Sequence, residues 1–132
     1  MLRRLWLIVA HTEPQNAAVW LGVYAIVWGL ALLSPHQTFT GGPSFVWLAT
    51  LANEDVWGVV AVACGLAQIG AVACFGWRML AAMGVVDCLW WMFLAVGMGL
   101  ANASPVPTYM FAAFSILGLW VFLNVILWRP QR

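Results

Sequence analysis

Charged residues are scarce in this sequence, and lysine is absent altogether. Only 7% of the 132 residues are charged, arginine supplies all 5 basic side chains, and 65% of the residues are hydrophobic. Soluble domains carry roughly 25% charged residues, so this chain has too few of them to cover a water-facing surface. The composition therefore predicts an integral membrane protein. With a formal net charge of +1 and no basic face, we expect no nucleic-acid partner.

Motifs for catalysis and metal binding are missing as well. The sequence contains no HExxH, GxSxG, P-loop or paired-carboxylate motif, and His11 and His36 both fall outside the predicted spans. Cys64, Cys74 and Cys88 are isolated thiols without CxxC spacing, which favours small packing residues over a disulfide framework or a metal site. We therefore predict that the protein is not an enzyme and has no metal and no cofactor.

Four apolar stretches are long enough to cross a hydrocarbon layer of about 30 Å. They predict an all-α integral membrane protein: a single domain, residues 1–132, folded as a four-transmembrane-helix up-down bundle. The predicted spans cover about residues 14–33, 56–77, 79–100 and 108–128. Two further apolar segments, residues 2–10 and 44–52, are too short to span, so we expect both to form helices at the membrane interface.

Local signals predict how some of these segments begin. Phe45, Trp47 and Leu48 give the segment in the first external loop an apolar side, which we expect to lie in the bilayer edge. Asn53 is a favourable cap for the second span, because its side chain can accept a hydrogen bond from a backbone N–H of the first turn. The acids that follow it, at positions 54 and 55, complement the helix dipole, and a cation site there is the alternative interpretation.

The arginines predict the orientation of the bundle. In a four-span arrangement all of them fall on one side, and the two loops on the other side contain no basic residue. By the positive-inside rule, both termini are then cytoplasmic, and a bacterial inner membrane is the expected location. The residues that set this topology are Arg3, Arg4, Arg78, Arg129 and Arg132.

Asp87 interrupts the third span about halfway along it. A carboxylate at this depth costs about 2.5–3.5 kcal/mol on insertion scales, so we expect it to have a partner or a function. At ~1.5 Å per residue, one polar residue of each other span lies at a similar depth. The predicted polar layer consists of Asp87, Gln68, Tyr24 and Ser115.

Three interpretations of this layer stay open. It can be an interhelical hydrogen-bond cluster that fixes register, with Asp87 protonated and donating to Gln68 or to a carbonyl. It can be a protonation or ion site on a water-accessible path, or Asp87 can make a lateral contact with a partner subunit.

Small residues form a stripe along the second span. They fall within about 100° of one another around the helix axis, and small residues let a second helix approach closely inside lipid. This predicts a helix-packing face, for a homo-oligomer or for other membrane subunits. Its members are Ala63, Ala67, Gly70, Ala71 and Cys74.

The whole pattern resembles small four-span inner-membrane proteins of tailed phages, some of which are labelled holin-like. The resemblance is carried by Pro43-Ser-Phe45, Trp57-Gly58, the lone Arg78 between two spans, and Asp87 followed by Trp90-Trp91. It implies a self-associating, non-enzymatic, holin-like protein, although this chain ends in only two arginines rather than in a long charged tail. The alternatives are an accessory or structural subunit of a larger membrane complex and a small ion-coupled transporter that uses Asp87.

Overall fold

The computed structural model describes residues 13–35, 43–101 and 105–127, and the regular structure within these ranges is entirely helical. Four of the helices are long and apolar enough to cross a membrane, which confirms the predicted all-α fold with four membrane-length helices. The predicted segment 2–10 and the arginines at positions 3, 4, 129 and 132 lie outside the described residues. The helices are α1 (Pro14–Leu32), α2 (Pro43–Leu51), α3 (Glu54–Gly70, extended by a π-helical turn, Ala71–Phe75), α4 (Gly76–Leu100) and α5 (Pro105–Leu127).

The long helices alternate in direction along the chain. A cavity at one end of the bundle is lined by residues from the beginning of α1 and α4 and from the end of α3 and α5. These four termini therefore lie together, as an up-down arrangement requires. We call this end the Arg78 end, because Arg78 lies in the first turn of α4. The opposite end, which carries the short helix α2, is called the Trp47 end.

The beginnings of the helices follow from their sequences. Pro14 occupies the first turn of α1, where a missing N–H leaves no bond unmade. The side chain of Asn53 caps α3 by accepting a hydrogen bond from the Val56 N–H at 3.0 Å, as predicted. Helix α5 begins at Pro105, three residues before the predicted start. The two prolines at positions 105 and 107 were expected in a loop, but both fit a first helical turn, which needs no donated hydrogen bonds.

The junction between α3 and α4 is shorter than predicted. We expected the second span to end at Trp77 and the third to begin at Met79, with Arg78 between them. Instead, the chain turns at Gly76, whose φ of +72° is a conformation that side chains other than hydrogen rarely adopt. The turn is placed by the backbone freedom of glycine rather than by the charge of Arg78, which belongs to α4.

Glycines bring the helices together in two antiparallel pairs. In the α1–α3 pair, Gly22 faces Gly65 and Gly29 faces Gly58, and a Cβ atom added at Gly29 would lie 2.7 Å from the Gly58 carbonyl oxygen. In the α4–α5 pair, a Cβ atom at Gly84 would lie 2.9 Å from the Phe122 backbone nitrogen. Close approach of this kind provides van der Waals packing where lipid removes the hydrophobic driving force. Helix α1 also contacts α4 and α5, and so joins the two pairs.

Two apolar clusters fill the bundle at different depths. The cluster nearer the Arg78 end, which we call the Leu80 layer, consists of Ala17, Ala18, Leu80, Ala81, Val121 and Val125. The other lies toward the Trp47 end and is centred on Trp91, which is 0% exposed. The Trp91 ring stacks on Phe111 with centroids 5.5 Å apart and meets Tyr24 and Trp28 edge-on.

Helix α2 closes the Trp47 end of the bundle. Leu48 is 0% exposed, and its carbonyl oxygen accepts a hydrogen bond from the Trp57 Nε1–H at 3.1 Å. The indole of Trp47 lies against Gly97 of α4, and a side chain at position 97 would occupy the space of the indole. We predicted that Leu48 would lie in the bilayer edge, and this is wrong, because its side chain is buried in the protein.

Candidate functional site: a buried polar layer

Asp87 lies in the interior of the bundle, on the buried face of α4. Its side chain is 4% exposed, and Met83, Gly84 and Trp91 on the same face are also buried. A Cβ atom added to Gly118 of α5 would come within 2.9 Å of the Asp87 Cβ. The absence of a side chain at Gly118 therefore makes the room that the carboxyl group occupies.

Gln68 of α3 is the polar group that the fold brings to Asp87. It is 1% exposed, and its amide is the hydrogen-bonding neighbour of the Asp87 carboxyl group, although the contact falls outside the distance and angle limits of a regular hydrogen bond. Within the described residues, neither Gln68 Nε2, Gln68 Oε1 nor Asp87 Oδ2 has a hydrogen-bond partner. A buried polar group left without a partner costs roughly 1–3 kcal/mol, so these three atoms need an explanation.

Ser115 has a different role from Asp87, although it is equally buried at 3% exposure. Its hydroxyl donates a hydrogen bond of 2.8 Å to the Cys88 carbonyl oxygen and lies 3.6 Å from the Cys88 sulfur. This bond joins α5 to α4, and its acceptor is a backbone carbonyl oxygen of helix α4. Ser115 thus acts as an interhelical link within the α4–α5 pair.

Tyr24 is half-buried, and its ring packs in the aromatic cluster rather than against Asp87. The ring centroid lies 4.4 Å from that of Phe114 and 5.5 Å from that of Trp91. Of the four predicted layer residues, the structure therefore brings Asp87 and Gln68 together. Ser115 is instead bonded to the backbone of α4 at Cys88, and Tyr24 packs among aromatic rings. Cys64, which was not predicted in the layer, lies within electrostatic range of Asp87.

The predicted small-residue face of α3 does not form the contact with α1. Ala63, Ala67 and Cys74 are exposed, Gly70 is half-buried, and only Ala71 is buried. The face that α3 turns toward the protein instead carries Gly58, Ala61, Gly65 and Gln68. The stripe is thus unused within one copy of the chain and stays a prediction for contacts between copies or with other subunits.

Sequence reasoning missed the glycine contacts that orient Gln68. The signal was present, because two glycines stand seven residues apart in both α1 and α3, at 22 and 29 and at 58 and 65. Seven residues are about two helical turns, so each pair lies on one face. Gln68 follows Gly65 by three residues and shares that face. The same contact that brings α3 to α1 therefore turns the Gln68 amide into the bundle.

Indole groups add to the unpartnered polar atoms in this part of the bundle. Within the described residues, Trp47, Trp90 and Trp91 have buried Nε1–H groups without a partner, whereas that of Trp57 is satisfied by Leu48. Trp91 follows Asp87 by one helical turn, on the same face of α4. The region between Asp87 and the Trp47 end is thus lined by donors without acceptors, in an otherwise apolar aromatic packing.

Arg78, the topology-setting arginine that the structure describes, lies at one end of the bundle, away from this layer. Arg78 is exposed, and its guanidinium lies 5.4 Å from the centre of the Trp77 ring, a cation–π contact at the end of the bundle. Among the described residues no group of three histidine, cysteine or acidic side chains could hold a metal ion. The polar layer offers the carboxyl group of Asp87, the amide of Gln68 and the hydroxyl of Ser115, all of which can form hydrogen bonds.

Comparison with protein-family models, with curated proteins and with solved structures found no match to this chain. The resemblance to phage membrane proteins stays a prediction. Function has to be inferred from the residues and their geometry.

Proposed function

We propose that this chain is a small, non-enzymatic membrane protein that binds and releases an ion at Asp87, as a small ion-coupled transporter does. The observation that supports this proposal is the pair formed by Asp87 and Gln68. Both side chains are at least 96% buried, lie beside each other and leave three polar atoms without a partner among the described residues. Ionisable groups inside membrane helices are costly and mark ion or proton pathways.

The geometry favours this function over a layer that only fixes helix register. A register-fixing layer needs hydrogen bonds between helices, and in this bundle Ser115 makes one, to the Cys88 carbonyl. The Asp87–Gln68 pair has no such bond at three of its atoms. An ion that binds and is released would interact with those atoms during part of a transport cycle.

Ion flux in liposomes tests the proposal. Purified protein is reconstituted with a pH-sensitive dye inside the vesicles, and a potassium gradient with valinomycin sets the membrane voltage. We expect wild type to carry charge-compensating ion flux, and Asp87→Asn to reduce it at least tenfold while keeping the side-chain shape. Asp55→Asn is the matched control, because Asp55 is an exposed carboxylate in the first turn of α3. Equal flux in wild type and Asp87→Asn would contradict the proposal.

A second candidate is the self-associating, holin-like function suggested by the resemblance to phage proteins. The observation in its favour is the small-residue stripe on α3, since Ala63, Ala67 and Cys74 remain exposed after the bundle has formed. Small residues on a lipid-facing surface allow close approach of a second copy. In this function the copies assemble in the inner membrane and collapse its potential.

Cysteine cross-linking tests self-association with residues that the chain already has. Cys74 is exposed, whereas Cys64 and Cys88 are only partly exposed. We expect mild oxidation of membranes to give dimers in wild type and in Cys64→Ser, but not in Cys74→Ser. Inducible expression should then collapse the membrane potential after a delay. Monomers throughout, with the potential intact, would refute the holin-like function. Another membrane protein that co-purifies would instead favour an accessory subunit.

A further inference from the structure

The Arg78 end of the bundle contains a cavity of about 390 Å³. Residues from all four long helices line it, so it lies between their ends at this side of the bundle. Its polar lining comes from Glu13, Gln15 and Asn124. At the share of about 30 Å³ that each molecule has in liquid water, such a space has room for on the order of ten water molecules, and these side chains supply partners for them.

The Leu80 layer lies between this cavity and Asp87. Leu80 and Val125 line the cavity and also belong to that layer. Asp87 follows Leu80 by seven residues, about two turns or ~10 Å along α4. The barrier between the cavity and the carboxyl group thus consists of apolar side chains, those of the Leu80 layer and of Met83, which is buried one turn before Asp87 on the same face of α4.

The opposite end of the bundle is closed by several successive contacts. Helix α2 covers it with the fully buried Leu48 and with Trp47 against Gly97. Beneath α2, the rings of Trp57 and Trp90 lie with their centroids 5.6 Å apart. All of these side chains belong to the Trp91 cluster or pack against it. Access to Asp87 is therefore shorter from the Arg78 end, where the cavity reaches Leu80, than from the Trp47 end, which this cluster fills.

The groups that face Asp87 carry no charge that would hold it ionised. Helix α3 presents Gln68, which is neutral, and the thiol Cys64. Helix α5 presents Gly118 and, one turn away, Ser115. Cys88 and Trp91 adjoin Asp87 on α4 itself. On α1 the nearest ionisable side chain at this depth is Tyr24, which packs on aromatic rings. Burial without a cationic partner favours the neutral carboxyl group.

The ligand set is unfavourable for a divalent cation. Ca²⁺ takes 6–8 oxygen ligands and Mg²⁺ takes six in an octahedron. Asp87 and Gln68 offer three side-chain oxygens at most, and the Ser115 hydroxyl is engaged with the Cys88 carbonyl. The described residues also contain no cluster of three acidic, histidine or cysteine side chains. A proton needs only one of these oxygens.

We propose that Asp87 exchanges a proton with water in the Arg78-end cavity, and that the Leu80 layer is the barrier to this exchange. The carboxylate takes a proton from hydronium to give a neutral carboxyl group and water, and release is the reverse step. The proposal rests on the proposed function, and it adds the identity of the ion and the side from which the site is loaded. By the positive-inside prediction, that side is the cytoplasm.

Cysteine labelling from each side of the membrane tests the route. In a variant that keeps only Cys64, we introduce either Val72→Cys, on the cavity wall, or Leu94→Cys, in the aromatic half of the bundle. A charged, membrane-impermeant methanethiosulfonate is applied to vesicles of either orientation. We expect Val72→Cys to react at least tenfold faster from the Arg78 side than from the other side, and Leu94→Cys to be unreactive from both.

The barrier is tested with Leu80→Ala, and with Val121→Ala if the first variant does not fold. We expect either change to raise the labelling rate of Cys64 from the Arg78 side, and the proton flux, at least tenfold, without opening the other side. The proposed route would be overturned if position 72 were labelled from the Trp47 side, or if the labelling rate of Cys64 did not change. In either case, proton flux that still depends on Asp87 would leave the proposed function standing. Faster labelling with flux unaffected by Asp87→Asn would instead refute both proton exchange at Asp87 and the proposed function.

Discussion

The contact between α1 and α3 predicts a large effect for a single methyl group at Gly29. A Cβ atom there would lie 2.7 Å from the Gly58 carbonyl oxygen and 2.9 Å from the Val62 backbone nitrogen. Non-bonded carbon atoms approach to about 3.5–4.0 Å, so the methyl group is closer by about 1 Å than a normal contact. The obstructing atoms belong to the backbone of α3 and cannot rotate away, and the two helices must therefore separate.

Overpacking of this kind costs about 1–3 kcal/mol, whereas replacing glycine by alanine inside a helix gains up to about 1 kcal/mol of helix propensity. Gly99→Ala is the matched control, since an added Cβ there meets nothing closer than the Thr108 methyl group at 3.8 Å. Both variants gain most of the same propensity, so the difference between them isolates the steric effect. We expect Gly29→Ala to be less stable than Gly99→Ala by about 1–3 kcal/mol.

Reversible unfolding in mixed micelles, with increasing mole fraction of sodium dodecyl sulfate, measures this difference. Helix content by circular dichroism and tryptophan fluorescence should report the same transition if the bundle unfolds in one step. A Gly29→Ala variant as stable as Gly99→Ala would refute the close approach of α1 and α3. It would also mean that the contact between α1 and α3 does not orient Gln68 toward the interior of the bundle.

Three further predictions concern other parts of the fold and use the same unfolding assay. Trp91→Ala should destabilise the protein by about 3 kcal/mol, which is the low end of the range for buried aromatic residues because lipid reduces the transfer free energy. Trp20→Ala, at a position 72% exposed, should change the stability little. Equal effects of the two substitutions would contradict the placement of Trp91 in the core. Asn53→Ala should cost about 1 kcal/mol through loss of the helix cap, with Asn53→Asp nearly neutral, and a neutral alanine variant would argue against the bond to Val56. Gly76→Ala should cost about 1–3 kcal/mol, because its φ of +72° and ψ of −176° form a conformation that essentially only glycine adopts, even though no atom lies within 4 Å of an added Cβ. Gly76→Asn should cost about as much, and an alanine variant of wild-type stability would show that the turn has another conformation.

The number of spans and the buried face of α4 could be predicted from the sequence. Four long apolar runs separated by turn signals leave few alternatives for a chain with so few charges. Asp87 marks the inward side of its helix, because a carboxylate is too costly to face lipid. Leu80, Met83 and Trp91 follow from it by helical periodicity, and the structure buries all three.

The rotation of α3 could not be predicted in the same way. This helix carries small residues on two sides, one with Ala63 and Ala67 and one with Gly58 and Gly65. Hydrophobicity does not distinguish them, since in a membrane both lipid and protein interior are apolar. The alanine side gives the longer stripe, but the glycine side permits the closer approach, and the closer approach decides which face α3 presents to α1.

The same reasoning explains why a depth count identified Asp87 and Gln68 but did not show which polar residues meet. Depth depends only on the rise per residue, which is nearly constant, whereas contact between side chains depends on the rotation of each helix. Gly65 sets that rotation for α3 and carries Gln68 inward, three residues further along. Gly118 sets the distance from α5 to α4 and leaves space at Asp87. The buried polar pair is therefore a consequence of where glycines let the backbones approach, and this property appears in the sequence only when the glycines of two helices are compared.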